Sequence, residues 1–245
     1  MDTKKYRFYV IFLAISLVFT TFLTSACDAE TDEAPENSEV TDTTGLSTEG
    51  TDAQPAALAE INLEAALKER VLGDVNAPIK VTEYSSFTCS HCAAFHKETF
   101  KEFKTNYIDT GKAYLVSKEF IRNKVDMHAA ATARCMSEMR YFDYIQMLFE
   151  KQEDWAYSPN YLEFLKTSSA EYGVTPEMFE ACTNSKELQE GVLESVRAAQ
   201  TEFAINSTPT FIVNDKDKIG GGLPYGPFVK AIETLVSGKG GEGNE

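Results

Sequence analysis

Positive charge is scarce in this sequence. Its 245 residues hold 23 Lys and Arg against 38 Asp and Glu, a formal charge of −15 at pH 7. The first 26 residues carry three basic side chains and one acidic one, so without them the charge is about −17, and without the nine acids between Asp28 and Pro55 it is still about −8. Phosphate backbones repel such a chain, which sets nucleic-acid binding aside. Lys and Arg are missing altogether from Asp28 to Pro55. Apolar surface there is also too sparse to offset the entropy of ordering, so this stretch reads as a disordered acidic spacer. Internal repeats are absent. A second Cys-x-x-Cys or a His-x-x-x-His is absent too, and a closed zinc site normally draws on such a separated second ligand pair.

Charge of either sign is missing from Phe8 to Ala26, which follows Lys4, Lys5 and Arg7. A short basic region and then an apolar run is the layout of a secretory leader over residues 1–26. The run closes on LTSAC, which resembles a lipoprotein box with Cys27 as the lipidated residue, although Thr24 stands where that box usually has leucine. Ordinary cleavage and a retained membrane anchor are the alternatives, since 19 uncharged residues nearly span a bilayer. All three export the rest of the chain: an acidic linker over 27–57, a globular part from 58 to 237, and a disordered tail over 238–245.

Leu63–Arg70 has a helical pattern ending near Gly73, and IKVTEY alternates as a strand before the break at Ser85-Ser86. After Cys89 the periodicity turns helical: Cys89, Cys92, His96, Phe100, Phe103 and Tyr107 share one face at 100° per residue. AYLVSKEF, Ala113 to Phe120, reads as a second strand. From Asp126 to Phe203 no strand is convincing, and Ser158-Pro159 and Thr175-Pro176 each look like a cap residue followed by a first-turn proline. MHAAATARCMSEM runs on into YFDYIQMLFEKQ, and Glu187–Phe203 forms a last long helix. TPTFIVND restores a strand, and a helix from about Pro227 to Val236 closes the globular part. The order is βαβ, an all-helical block, then ββα.

Five cysteines remain to be divided, and an exported protein lives where disulfides persist. Setting aside Cys27 and the Cys89–Cys92 pair leaves Cys135 and Cys182, so the arithmetic suggests one lipid, one active pair and one structural bridge. A cysteine preceding a helix has its thiolate favoured by the unpaired first-turn N–H groups. Thiols in Cys-x-x-Cys motifs span pKa values of about 3.5 to 7.5 for this reason. A protonated His91 between the two would add positive charge near Cys89, and whatever stabilises the reduced form raises the reduction potential. Cys89 is then the attacking sulfur and Cys92, one turn along, the resolving one. Against this stand a structural staple, whose loop is too small to stabilise much, and a metal site drawing on His91 and His96.

VTEYSSFTCSHCAAFH, the helical block and the late STPTFIV together resemble the DsbA family of bacterial thiol–disulfide oxidoreductases in the thioredoxin superfamily. The resemblance covers about Val71 to Val236. It implies an α/β thioredoxin fold with an inserted all-helical domain, split as 58–122, the insertion 123–203, and 204–237. It also implies an enzyme that donates a disulfide to cysteine-containing proteins newly exported to the periplasm. Reoxidation would come from a membrane quinone reductase of the DsbB type, with no cofactor or metal of its own and the chain a monomer. By the same resemblance Cys89 is the nucleophile, Cys92 its resolving partner and His91 the potential-raising residue, while Ser90 departs from the proline common there. Pro209 matches a cis-proline beside the disulfide, exposing the Thr208 backbone to an extended substrate. Glu83 matches a buried acid that accepts a proton from the resolving thiol, with an exposed strand residue as the alternative. His96 reads first as a satisfied core histidine and second as a catalytic modulator, Glu119 is a weaker candidate than His96, and His128 reads as a helix-surface or packing residue. Cys135 and Cys182 resemble a second, non-catalytic disulfide of some branches, against two free thiols. An isomerase or reductase, or a redox-inert metal-binding lipoprotein, are the competing functions.

Overall fold

The computed structural model describes residues 59–238. The leader, Cys27, the acidic linker and the tail beyond Gly238 lie outside the described residues. Five strands form one sheet in the order β1-β3-β2-β4-β5: β1 Arg70–Leu72, β2 Ile79–Ser85, β3 Ala113–Glu119, β4 Thr210–Val213 and β5 Asp217–Gly220. Only β2 and β3 run parallel; every other neighbouring pair is antiparallel. A parallel pair needs a crossover, and α2 (Ser90–Phe103) provides it, prolonged by a π-helical turn at Lys104–Ile108. Central β2 is buried from Val81 to Ser85, and its Glu83 lies opposite Ser117 on one side and Phe211 on the other.

The chain leaves the sheet after β3 and returns at β4. Between them stand six helices: α3 Lys124–Arg134, α4 Glu138–Glu150, α5 Gln152–Trp155, α6 Tyr161–Ala170, α7 Pro176–Asn184 and α8 Lys186–Phe203. The fold is therefore a thioredoxin-like sheet with helices inserted between β3 and β4. One sheet face packs on α2 and on α9 (Tyr225–Val236), with Phe95, Phe103, Phe211, Phe228 and Ile232 at the core. The other face meets α8 through Tyr84, Ile212, Val196 and Ala199. The inserted helices enclose their own core around Tyr141, Leu148, Phe149, Trp155 and Leu165, and Cys89 and Cys92 pack against this core. Burying each such large apolar side chain contributes about 1.5–3 kcal/mol. Among the described residues no helix is long and apolar enough to cross a membrane.

Three local expectations need correction. The helix expected over Leu63–Arg70 ends at Leu67 as α1, and Arg70 instead starts β1. Arg70 pairs with Ser117 of β3, and its guanidinium donates to the Arg134 carbonyl at 2.7 Å and lies over the Tyr141 ring. The helical run expected through Cys135 is broken, because α3 stops at Arg134 and α4 restarts after Ser137. Ser158-Pro159 occupies the turn before α6, whose cap position is Asn160. Thr175, by contrast, accepts from Met178 N at 3.2 Å with Pro176 in the first turn. Gly73, at φ +101°, turns the chain between β1 and β2 where a Cβ would lie 2.8 Å from Ile108 Cγ2, so only glycine fits without displacement.

Candidate active site

Cys89 sits at the N-cap of α2, where the loop Ser86–Thr88 leaves β2. Residues of the insertion hold that loop. Asp126, fully buried in the first turn of α3, accepts from Phe87 N at 2.7 Å and Arg122 N at 3.1 Å. Gln152 of α5 donates to the carbonyls of Phe87 (2.7 Å) and Cys89 (3.0 Å). Asn123 donates to Thr88 Oγ1 at 2.9 Å while capping α3 by accepting from Asp126 N. Burial pushes the Asp126 carboxyl up to about 6, partly offset by the hydrogen bonds it accepts from Ser86, Arg122 and Phe87. Sequence reasoning missed all three clamp residues. The Asn123-x-x-Asp126 cap pattern was visible as a helix start, but nothing in it names the loop it would grip.

Cys89 and Cys92 are both free thiols and buried. The Cys89 thiol is pulled down to about 4. The hydrogen bond donated by the Cys92 thiol contributes most, followed, against the cost of burial, by donation from Thr208 and from the N–H groups of Cys92 and His91. Thr208 presents both halves of this interaction. Its carbonyl lies 3.4 Å from Sγ and receives the proton of the thiol form. Its hydroxyl, buried with no hydrogen-bond partner, is free to donate to the thiolate. Cys92 moves the other way: burial raises its thiol far above the ordinary range, and the neighbouring Cys89 sulfur adds to this. One sulfur is thus a thiolate at neutral pH while its partner stays protonated. The His91 side chain and Ser90 are exposed, and His91 reaches the sulfur through its backbone N–H.

The Thr208–Pro209 bond is cis, and Gly221 N donates to the Pro209 carbonyl at 2.9 Å. A Cβ on Gly222 would stand 2.9 Å from the His91 carbonyl and 3.6 Å from Pro209 Cγ. The absence of a side chain there lets the β5–α9 loop close over the start of α2. The run Gly220-Gly221-Gly222 stands out in the sequence, but nothing in it names the helix start that the loop closes over.

Glu83 and His96 meet beneath the pair. Each is 1% exposed, and His96 Nε2 lies 3.0 Å from Glu83 Oε1. The charge of Glu83 reaches the Cys92 thiol and helps to raise it. Glu119 lies apart from this cluster, held by Arg134 Nε at 2.8 Å and by the Tyr141 hydroxyl at 2.8 Å. Burial would push Glu119 up, but the Arg134 guanidinium outweighs it and keeps the carboxyl below the usual range. His128 contacts the Tyr161 hydroxyl at 3.0 Å on the outer side of α3. A disulfide joins Cys135, at the end of α3, to Cys182 on α7, with Cα atoms 6.4 Å apart. Among the described residues no three His, Cys, Asp or Glu side chains gather as a metal site.

Residues 65–234 match the family model described as thioredoxin. A putative protein-disulfide oxidoreductase of Rickettsia felis is 38% identical over 175 residues, covering 69% of this chain. The chain spans 59% of that relative's length. Disulfide bond formation protein D of Bacillus subtilis is 29% identical over 177 residues, 69% of this chain and 78% of that protein. The crystal structure of Wolbachia pipientis alpha-DsbA1 superposes with a TM-score of 0.64 at 28% identity, covering 70% of this chain and 92% of the other.

Proposed function

The chain belongs to the DsbA family of the thioredoxin superfamily, and from that premise we propose that its Cys89–Cys92 pair donates a disulfide to the cysteines of client proteins. The single observation carrying this reading is the opposed state of the two sulfurs: Cys89 held as a thiolate down to about pH 4, Cys92 held as a thiol. A low-pKa thiolate makes a good leaving group and stabilises the reduced enzyme, and both effects favour loss of the disulfide to substrate.

In the oxidised enzyme a substrate thiolate attacks Cys89 Sγ. The Cys89–Cys92 bond breaks, its electron pair stays on Cys92, and that sulfur takes a proton. A second substrate thiolate then attacks the substrate sulfur of the mixed disulfide, and Cys89 leaves as the thiolate that Thr208 and the N–H groups of His91 and Cys92 stabilise. Two electrons pass from substrate to the pair. Glu83 serves as the proton acceptor and donor for Cys92, Thr208 and Pro209 flank the bound chain, and the Cys135–Cys182 bridge braces the insertion. The setting we propose is the periplasm, with Cys27 as a lipid attachment point and a DsbB-type quinone reductase as reoxidant. The uncharged run from Phe8 to Ala26 before Cys27 and the oxidising chemistry proposed for the pair support it.

The test is the equilibrium of the pair with glutathione, read by thiol alkylation in the wild type and in Cys135→Ser/Cys182→Ser. A potential well above the thioredoxin value of about −270 mV is expected. A value near or below it means a reductase or isomerase, and a pair that does not exchange ends the redox reading.

A further inference from the structure

His96 makes more contacts than core packing requires. Its ring is stacked on Phe149 of α4, with centroids 4.1 Å apart and planes 17° apart, and Phe100 approaches to 4.8 Å. Nδ1 lies 3.1 Å from Gln146 Oε1. The Gln146 amide is oriented by its own donations, from Nε2 to the His96 carbonyl at 3.3 Å and to Glu150 Oε1 at 3.1 Å. Its oxygen therefore faces the ring, and Nδ1 must carry a proton to bond it. The other nitrogen, Nε2, faces Glu83 Oε1 at 3.0 Å. A second proton has to lie in that contact, since two lone pairs at that distance would repel. The ring can neither swing away nor trade its partners for water, because Phe149, Phe100 and Phe95 surround it.

Cys92 is fully buried and becomes the leaving sulfur when substrate attacks Cys89. A bare thiolate in that position is costly. Resting on the disulfide-exchange reading above, we propose that His96 is a positioning residue for Glu83: it holds at the Glu83 carboxyl the proton that passes to Cys92 when the disulfide opens, and it receives that proton back when Cys92 attacks. The charges balance. The substrate thiolate brings one negative charge, which moves to Cys92 as the S–S bond breaks. The shared proton then neutralises Cys92 and leaves the negative charge on the Glu83–His96 pair. A proton from solvent restores the pair and returns to solvent before Cys92 attacks; the hydrogen-bond chain of the pair ends, through Gln146, at exposed Glu150, itself paired with Lys101 at 2.8 Å. The supports of the ring, Gln146 and Phe149, come from the inserted domain, so the insertion shapes proton transfer as well as the Cys89 loop.

The experiment measures the rate at which the oxidised protein is reduced by dithiothreitol between pH 5 and 9, in wild type, His96→Gln, His96→Phe, Glu83→Gln and the double variant Glu83→Gln/His96→Gln. His96→Gln keeps a donor toward Glu83, so its fold is retained while the ring proton is lost; near-UV circular dichroism checks this. Both His96 variants should slow reduction at least about a hundredfold, the low end for general acid–base assistance. The Cys89 thiolate, monitored at 240 nm, should titrate as in wild type, and His96→Gln should add nothing in the Glu83→Gln background. A folded His96→Gln at the wild-type rate, or an equal further slowing on top of Glu83→Gln, overturns the inference. A wild type inert to every dithiol overturns the functional reading instead. In that case nitrogen-15 NMR of the His96 ring in the reduced protein still decides its role: an Nε2 proton shared with Glu83, and lost from that contact in Glu83→Gln, supports it, and a ring signal unchanged by Glu83→Gln rejects it.

Discussion

The side-chain amide of Gln152 lies 3.0 Å from the carbonyl oxygen of Cys89, and the same nitrogen bonds the Phe87 carbonyl at 2.7 Å. A helix of the insertion thereby holds the backbone on both sides of Thr88. Asp126 and Asn123, at the start of α3, hold the same loop from another helix. The Cys89 sulfur is thus placed jointly by the sheet that precedes it and by inserted residues lying 35 to 65 positions further along the chain than the groups they grip.

Gln152→Leu keeps the volume and removes both donations. The Cys89 carbonyl retains Ala93 N as a partner, so the cost falls on the buried Phe87 carbonyl. A buried acceptor left without a donor costs about 1–3 kcal/mol. Urea unfolding of the reduced variant should show a loss in that range, and an unfolding midpoint equal to wild type would refute the clamp.

The Cys89 thiol should titrate near pH 4 by its absorbance at 240 nm. A thiol lowered in the folded state contributes stability that is complete above its unfolded value near 9 and is lost as pH falls through about 4. The reduced protein should therefore melt above the oxidised one at pH 7, with the gap closing as the pH approaches 4. Equal melting temperatures at pH 7 would contradict the thiolate assignment.

Asp126 has the opposite sign. Its carboxyl is raised from 3.8 to about 6, so its contribution is complete below the unfolded value and disappears as pH rises through 6. The loss is about 3 kcal/mol between those limits. In Asp126→Asn this pH slope should vanish. The variant should also be less stable throughout, because an amide NH2 would then face the N–H of Phe87 or Arg122. Melting curves at pH 4, 5, 6 and 7 read the slope, and an unchanged slope would assign it to another group.

Removing the Cys135–Cys182 bridge opens a loop closed across 47 positions, which on the chain-entropy model costs up to about 4 kcal/mol. Cys135→Ala/Cys182→Ala should unfold at lower urea while its Cys89–Cys92 pair keeps the wild-type equilibrium with glutathione. A shifted equilibrium would mean that the bridge acts on the site as well as on the fold.

Each feature legible in the sequence is local. Cys-x-x-Cys at the head of an amphipathic pattern, Thr175-Pro176 at a helix start, and the apolar alternation of β2 depend on residues a few positions apart, where spacing and backbone preference decide the outcome. The Thr208-Pro209 pair was likewise visible as a motif through its family resemblance. The three-residue strand at Arg70 was not, because its conformation arises from pairing with β3 and from a carbonyl on Arg134, 64 positions away. The same holds for the site's supports. His96 fell on the inner helical face by periodicity alone, but whether it faced apolar carbon or a carboxylate depended on Glu83 from β2 and Gln146 from α4. Sequence by itself determined the Cys89-x-x-Cys92 spacing, the helix that carries it and the order of sheet and insertion. Tertiary structure alone decided which buried polar groups meet, because a hydrogen bond between distant positions leaves no period, cap or spacing in the chain to read.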